Sequence, residues 1–193
     1  MNIAVFKVIN GFAHKSGLLD KIMILLSKYG PLIFMATLAA IYLYGVYRKD
    51  KMLRYAAIDT LAITVINMFL GFVIVSFYYE PRPFVSNKVN LLIPHAPDTS
   101  FPSDHSLGTM SIALGINNYY KICGKVLIVL SLLVGVSRVY VGDHYPMDVV
   151  GSYLIVLAVN FLYGRLLRNR ISGVYAKVEE CLLKGVSVIK QVN

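Results

Sequence analysis

Five long apolar runs are the feature that most restricts how this chain can fold. The first covers residues 31–47, seventeen consecutive positions without a charged side chain. The other four cover about residues 55–77, 103–120, 126–141 and 146–163, and each contains very few charges. A transmembrane helix needs roughly 17–25 mainly apolar residues. The pattern therefore predicts an all-α integral membrane protein, a bundle of about five transmembrane helices.

The overall composition agrees with a membrane protein and argues against nucleic-acid binding. The 193 residues are 57% hydrophobic, and the net charge is +9. A basic balance suits nucleic acid when lysines and arginines form a patch on one face. Here they flank the apolar runs, where basic residues contact lipid headgroups and set topology. We therefore predict no nucleic-acid partner.

The length indicates one domain, for which we predict three parts. Residues 1–28 are expected to form amphipathic helices at the membrane interface, because lysines interrupt their apolar positions. Residues from about 30 to 165 form the membrane-embedded core, and residues 171–193 form a C-terminal cytoplasmic tail. Asp59 leaves two alternatives open, since an acid near the start of the second run either reaches the interface or pairs inside the bundle.

The distribution of lysine and arginine predicts the orientation of the helices. If the loops at 48–54 and 121–125 and the segment after residue 164 are cytoplasmic, twelve of the nineteen basic residues lie on that side. This arrangement is favoured because cytoplasmic loops carry the excess of basic residues. It places the opposite helix ends, and the N-terminal helices with them, on the extracytoplasmic face of a multi-pass protein.

Three polar clusters interrupt the apolar sequence at those extracytoplasmic helix ends. Residues 80–83 (Glu-Pro-Arg-Pro) follow the second run, and residues 101–105 (Phe-Pro-Ser-Asp-His) open the third. Residues 137–148 connect the fourth run to the fifth, starting with Ser-Arg and ending with Asp-His-Tyr-Pro-Met-Asp. Because four helix ends on one face of a bundle lie close together, we expect the clusters to converge on one site.

The residue types in the clusters suit the binding and cleavage of a phosphate bond. Arg82 and Arg138 offer permanently charged, bidentate contacts to phosphoryl oxygens. Ser103 is a natural N-cap, and the free amides behind it form an anion site. His144 and Asp148 are four positions apart and share a helix face. The aspartate can therefore hold one ring nitrogen while the other attacks phosphorus.

His105 completes this set, because an imidazole with an ordinary pKa of about 6.5 can protonate a departing oxygen near neutral pH. Taken alone, an arginine at a helix end is more often an interfacial anchor. His95 and Asp98 are expected to be solvated or structural, or else to line a headgroup pocket. Ser137 is expected to brace its own helix.

Taken together, the three clusters resemble the signature of the type 2 phosphatidic acid phosphatase (PAP2) superfamily, which includes the vanadium haloperoxidases. The family pattern is Lys, six residues, Arg-Pro; then Pro-Ser-Gly-His; then Ser-Arg, five residues, His, three residues, Asp. The third motif is present in full as Ser137, Arg138, His144 and Asp148. The resemblance covers roughly residues 30–165 and implies a helical membrane phosphatase.

The resemblance also implies a role for each matching residue. His144 would be the nucleophile that forms a phosphohistidine, and Asp148 would orient it. His105 would protonate the leaving group and then activate water. Four groups would hold the phosphoryl oxygens: Arg82, Ser103, the backbone at Asp104, and Arg138. No metal and no other cofactor is implied.

Two positions depart from the family pattern. The lysine would fall at Val75, so one phosphate-binding charge is absent, and Lys88 is a candidate to replace it. The glycine of the second motif is Asp104, which places a carboxylate beside an anion site. That carboxylate should weaken the binding of a dianion unless it points away or pairs with a cation. Its alternative role is to help select a diphosphate or to position the departing phosphate.

Within the family, residues 80–84, 92–96 and 100–105 resemble the BcrC type of bacterial undecaprenyl-diphosphatase. This implies hydrolysis of undecaprenyl diphosphate in the bacterial plasma membrane, with recycling of the cell-wall lipid carrier and resistance to bacitracin. Two enzymatic alternatives stay open: a phosphatase for another lipid, such as phosphatidylglycerol phosphate or phosphatidate, and a phosphotransferase. A non-enzymatic lipid transporter is the alternative of a different class.

Overall fold

The regular structure of this chain is helical, which confirms the predicted all-α class. The computed structural model describes the backbone of residues 2–192 and the side chains of residues 2–181. In chain order the helices are α1 (Asn2–Asn10), α2 (Gly17–Tyr47), α3 (Lys51–Phe77), α4 (Pro83–Ser86), α5 (Asp104–Tyr119), α6 (Lys121–Tyr140), α7 (Pro146–Leu166) and α8 (Arg168–Val192).

Four of the described helices, α2, α3, α6 and α7, are long and apolar enough to cross a membrane. Their outer faces carry exposed large apolar side chains, such as Phe69 and Phe72 of α3 and Phe161 of α7. Surfaces of this kind suit lipid better than water. The remaining predicted span corresponds to α5, which has only 16 residues and several buried hydroxyl side chains.

α5 is the central helix of the bundle and packs against α2, α3, α6 and α7. Its polar side chains bond within the helix, since Thr109 Oγ1 donates to the His105 carbonyl at 2.7 Å and Ser111 Oγ to the Leu107 carbonyl at 2.6 Å. Gly115 permits a close approach of α3, because a Cβ there would lie 2.7 Å from the Thr60 side chain. This packing fixes the start of α5, where the second polar cluster lies.

The first long helix begins earlier than we predicted. α2 is continuous over 31 residues and contains Pro31, whereas the sequence suggested interfacial helices up to residue 28 and a span that begins at Pro31. The Ser16 side chain caps the helix by accepting a bond from the Leu19 amide at 3.4 Å. An internal proline removes one backbone hydrogen bond, but neighbouring helices compensate for that loss in membrane bundles. Of the predicted interfacial segment, only α1 is a separate helix.

Asp59 pairs inside the bundle, which decides between the two alternatives for this acid. It is 2% exposed, accepts a hydrogen bond from the Tyr163 hydroxyl at 2.6 Å and contacts Arg168 Nε at 3.1 Å. A second ion pair joins Arg54 Nε to Glu179 at 2.5 Å. Both pairs connect the first half of α3 to the C-terminal helices, at the end of the bundle away from the polar clusters.

At the cluster end, a pair of asparagines connects α1 to the long loop. Asn10 Nδ2 donates to the carbonyl oxygens of Asn90 and Tyr140, both at 2.8 Å, and Asn10 Oδ1 accepts from the Asn90 amide at 2.8 Å. Since Tyr140 ends α6, the two asparagines hold the loop between α4 and α5 against the helix ends. The long loop is thereby folded rather than extended.

Candidate active site

The two ends of the long loop pair with each other beside the start of α7. Pro81 and Thr99 form an isolated antiparallel bridge, and the Ser100 amide donates to the Glu80 carbonyl at 2.7 Å. This pairing fixes Arg82, which immediately precedes α4, and Ser100 in adjacent, buried positions. The first and second polar clusters therefore meet through the backbone.

The turn between α6 and α7 presents His144. Gly142 has a φ of +92°, a conformation that favours glycine, and a Cβ there would lie 2.9 Å from the Asn90 carbonyl oxygen. The amides of Asp143 and His144 both donate to the Arg138 carbonyl, at 3.1 and 3.3 Å. The backbone that carries the imidazole is therefore held on both sides.

The imidazole of His144 has a different partner at each nitrogen. Nδ1 lies 2.7 Å from the Ser100 carbonyl oxygen, and Nε2 lies 3.1 Å from Arg82 Nη1. Because a carbonyl only accepts and a guanidinium only donates, Nδ1 carries the proton and Nε2 presents a lone pair. Burial, together with the positive charges of Arg138 and Arg82, holds the pKa of His144 well below its ordinary value of 6.5. The ring is therefore neutral at pH 7.

Asp148 reaches this imidazole only indirectly. Its carboxylate lies 3.7 Å from His144 Nδ1, so the direct hydrogen bond that the spacing suggested is not formed, because the Ser100 carbonyl occupies that position. Ser100 Oγ instead donates a hydrogen bond to Asp148 Oδ2, and the Tyr145 amide donates to the same oxygen at 2.8 Å. Asp148 thus holds Ser100, and Ser100 holds the ring.

Asp143 neutralises two buried arginines, although it was not among the predicted site residues. It forms an ion pair with Arg138 and lies 2.9 Å from Arg82 Nη1. Arg82 Nε also contacts Asp98 at 2.5 Å, and Arg138 Nη1 donates to Ser27 Oγ at 2.6 Å. Because a buried charge needs a partner, Asp143 allows both guanidinium groups to lie at one site. An acid between the arginine and the histidine of the third cluster was the available sequence signal.

Ser103 begins α5 at the predicted N-cap position, but its side chain does not cap the helix. Its Oγ accepts a bond from Ser106 Oγ at 3.2 Å, and its amide donates to Ser152 Oγ at 2.8 Å. The first amides of a helix have no acceptor within the helix and attract anions. The start of α5 is therefore suited to a phosphoryl group.

Asp104 and His105 occupy the first turn of α5. The Asp104 side chain is exposed and the His105 side chain is half-buried. His105 lies within electrostatic reach of Arg138, His144 and Arg82. Burial, together with the positive charge of Arg138, lowers the pKa of His105 to about 3, so its ring is neutral at pH 7 in the free site. A bound anion would offset the surrounding positive charge and favour protonation of this imidazole.

The structure brings the predicted site residues together at one end of the bundle. They are Arg82, Ser103, Asp104, His105, Arg138, His144 and Asp148. His95 is added to them, since its Nδ1 lies 3.7 Å from Asp98 and 3.9 Å from Asp143. Among the residues with described side chains, no group of three His, Cys, Asp or Glu is placed to hold a metal ion.

Replacing Ser100 by alanine should reduce kcat by roughly tenfold, because a small displacement of a reacting group is costly. The variant keeps the carbonyl that holds His144 but removes the hydroxyl that connects it to Asp148. We expect KM to change little. Steady-state phosphate release measures both constants, with Ser111→Ala as a control for another fully buried serine. An unchanged kcat in Ser100→Ala would show that Asp148 does not act through this hydroxyl.

Comparison with known proteins places this site in a family. The model of the PAP2 superfamily matches residues 56–172. The chain is 41% identical over 165 residues to undecaprenyl-diphosphatase BcrC of Bacillus subtilis (strain 168), covering 86% of this chain and 83% of that protein. The resemblance inferred from the three polar clusters is thereby confirmed.

Two crystal structures share the fold. LpxE of Aquifex aeolicus superposes with a TM-score of 0.71 at 24% identity, covering 85% of this chain and 94% of that chain. A transmembrane PAP2 type phosphatidylglycerolphosphate phosphatase from Bacillus subtilis gives a TM-score of 0.63 at 21% identity, covering 91% and 86%. Together with the four apolar helices, these relatives make the chain a multi-pass membrane protein.

Proposed function

The chain belongs to the PAP2 superfamily, and from this premise we propose that it hydrolyses undecaprenyl diphosphate to undecaprenyl phosphate and inorganic phosphate. The observation that carries the proposal is the state of His144: a buried, neutral imidazole whose Nε2 lies 3.1 Å from Arg82 Nη1, with Arg138 within electrostatic reach. The substrate follows from the relative in Bacillus subtilis that is named for this activity.

In the first step, Nε2 of His144 attacks the terminal phosphorus of the diphosphate. A nitrogen–phosphorus bond forms while the bond from that phosphorus to the bridging oxygen breaks. The bridging oxygen leaves with the inner phosphate and the lipid, and His105 supplies a proton to it. His105 takes up that proton when the substrate binds, because the negative charge of the diphosphate raises the low pKa of the free site. The Nδ1–H bond to the Ser100 carbonyl stabilises the imidazole as positive charge develops on the ring.

In the second step, water attacks the phosphohistidine. His105, now without its proton, accepts one from the water, and the phosphorus–nitrogen bond breaks to restore the Nε2 lone pair. Arg82, Arg138 and the first amides of α5 hold the equatorial oxygens in both steps. Preorganised donors of this kind need no rearrangement when charge builds up in the transition state. The protein groups named here account for every bond that forms or breaks.

The site would face outward, and hydrolysis there would return the lipid carrier to its monophosphate form for cell-wall synthesis. The basic loops at 48–54 and 121–125 lie at the starts of α3 and α6, opposite the helix ends that hold the site, and the positive-inside rule assigns such loops to the cytoplasm. Hydrolysis at this face would compete with bacitracin for the same lipid and so confer resistance.

The test is phosphate release from undecaprenyl diphosphate by the purified full-length protein in detergent with EDTA. We expect release without added metal, and slower release from phosphatidylglycerol phosphate and phosphatidate under the same conditions. A preference for either glycerophospholipid would overturn the substrate. Transfer of lipid between vesicles without phosphate release would instead support the transporter alternative, whereas loss of substrate without matching phosphate would indicate a phosphotransferase.

A further inference from the structure

An apolar groove leads away from His105 between α2, α3 and α5. It has a volume of about 480 Å³, and most of its wall is apolar, with Leu32 and Met35 of α2 on one side and Met68 of α3 and Ile112 of α5 on the others. Charged and titratable groups line it at the end near the site. This combination suits a ligand that has an apolar chain and an anionic head.

The proposed reaction indicates where the anionic head of the ligand lies. If the proposed function holds, the terminal phosphoryl group is bound at His144, and the leaving group departs at His105. That leaving group carries its own phosphate, because the broken bond is a phosphoanhydride. In-line attack places the inner phosphate on the side of the terminal phosphorus opposite His144, next to His105, which lines the groove.

Binding a phosphate at this end of the groove requires a positive charge. Asp104 lines the groove and presents a carboxylate that repels a phosphate. Lys28 of α2 lines the same end and is the one lysine or arginine among the described groove residues. Its side chain is exposed, and its Nζ lies 5.5 Å from the centre of the Tyr29 ring, a weak contact at an exposed site that a phosphate can replace.

The backbone that carries Lys28 is tied to the active site. The preceding residue, Ser27, is fully buried and accepts a hydrogen bond from Arg138 Nη1 at 2.6 Å. Arg138 belongs to the third polar cluster, so one turn of α2 is fixed against the phosphate ligands. Lys28 therefore has an exposed side chain on a backbone that is held beside the site.

We propose that Lys28 binds the inner phosphate of a prenyl diphosphate, and the phosphate of the departing prenyl phosphate, while the groove takes the first part of the apolar chain. This makes Lys28 a specificity residue for lipid diphosphates, because a lipid monophosphate would place an uncharged oxygen in the same position. Lys28 would also supply positive charge to the groove that the Asp104 carboxylate lines.

The test measures binding of farnesyl phosphate and of farnesol to the full-length protein in detergent, with orthovanadate present to occupy the pocket at His144. We expect Lys28→Ala to lower the affinity for farnesyl phosphate at least about tenfold, as for loss of a charge-assisted contact. The affinities for farnesol and for orthovanadate should stay unchanged. Lys28→Arg should restore most of the affinity. Lys21→Ala, which removes an exposed lysine of α2 outside the groove, should have no effect.

Equal binding of farnesyl phosphate by wild type and Lys28→Ala would overturn the inference, as would an equal loss for farnesol. These outcomes are separate from the proposed function, which is judged by phosphate release from the wild-type protein. Phosphate release together with binding that does not depend on Lys28 would contradict only the role of Lys28. Binding that depends on Lys28, without any phosphate release, would contradict only the proposed hydrolysis.

Discussion

The His144→Ala variant is expected to lose phosphate release by at least about a thousandfold in kcat, since removal of a covalent nucleophile leaves only binding and electrostatic contributions. Nε2 of His144 lies 3.1 Å from Arg82 Nη1, and the low pKa of the ring leaves its lone pair without a proton at pH 7. Steady-state release from undecaprenyl diphosphate measures the effect. His14→Asn is the control, because His14 is an exposed histidine outside the site, and asparagine tolerates its φ of 66°.

Activity of His144→Ala at a tenth of the wild-type level would rule out His144 as the nucleophile. A second measurement addresses the intermediate itself. Substrate labelled in the terminal phosphate, quenched with alkali during turnover, should leave label on the wild-type protein and none on the variant. Comparable thermal unfolding of the two proteins in detergent excludes misfolding as the cause.

The Asp143→Asn variant should be less stable than wild type by roughly 3 kcal/mol in buffer free of phosphate, the scale expected when a buried ion pair loses one partner. Asp143 is 1% exposed and contacts both Arg138 and Arg82. Its neutral analogue would leave two buried guanidinium groups with too little negative charge. Thermal or denaturant unfolding of the detergent-solubilised protein measures this loss.

Orthovanadate should restore most of that stability, because a bound oxyanion supplies the negative charge that Asp143 provided. Asp98→Asn is the control: its side chain also contacts Arg82 but is 56% exposed, so its removal should cost less than about 1 kcal/mol. Equal losses in the two variants, or no protection of Asp143→Asn by orthovanadate, would show that Asp143 does not balance the phosphate ligands.

Much of the site could be predicted because its residues lie in short segments with characteristic spacing. Ser137, Arg138, His144 and Asp148 stand in one stretch of twelve residues, and a helix start converts their spacing into proximity. The role of Ser100 could not be predicted, because it depends on a backbone carbonyl, and every residue has one. Its position beside His144 results from the pairing of loop ends around Thr99 and Pro81.

Some helix boundaries could also be predicted from the sequence, whereas others depend on tertiary contacts. The apolar runs predicted α3, α6 and α7 within a few residues, since a membrane-spanning helix must satisfy its backbone internally and exclude charge. We predicted a start of the first span at Pro31, which is too late, because lysines and a proline are unfavourable inside an apolar helix when only the local sequence is considered. Tertiary contacts outweigh that preference: Ser27 is held by Arg138, and Asp20 accepts a bond from the Tyr140 hydroxyl at 2.7 Å.

The sequence by itself determined the helical membrane class and the residues that suit phosphate chemistry, because both depend on local composition and spacing. The tertiary structure decided which groups touch: Asp143 between two arginines, Ser100 between Asp148 and His144, and Lys28 at the groove beside His105. These contacts join segments far apart in the chain. Their energies depend on burial and distance, which no local pattern of residues encodes.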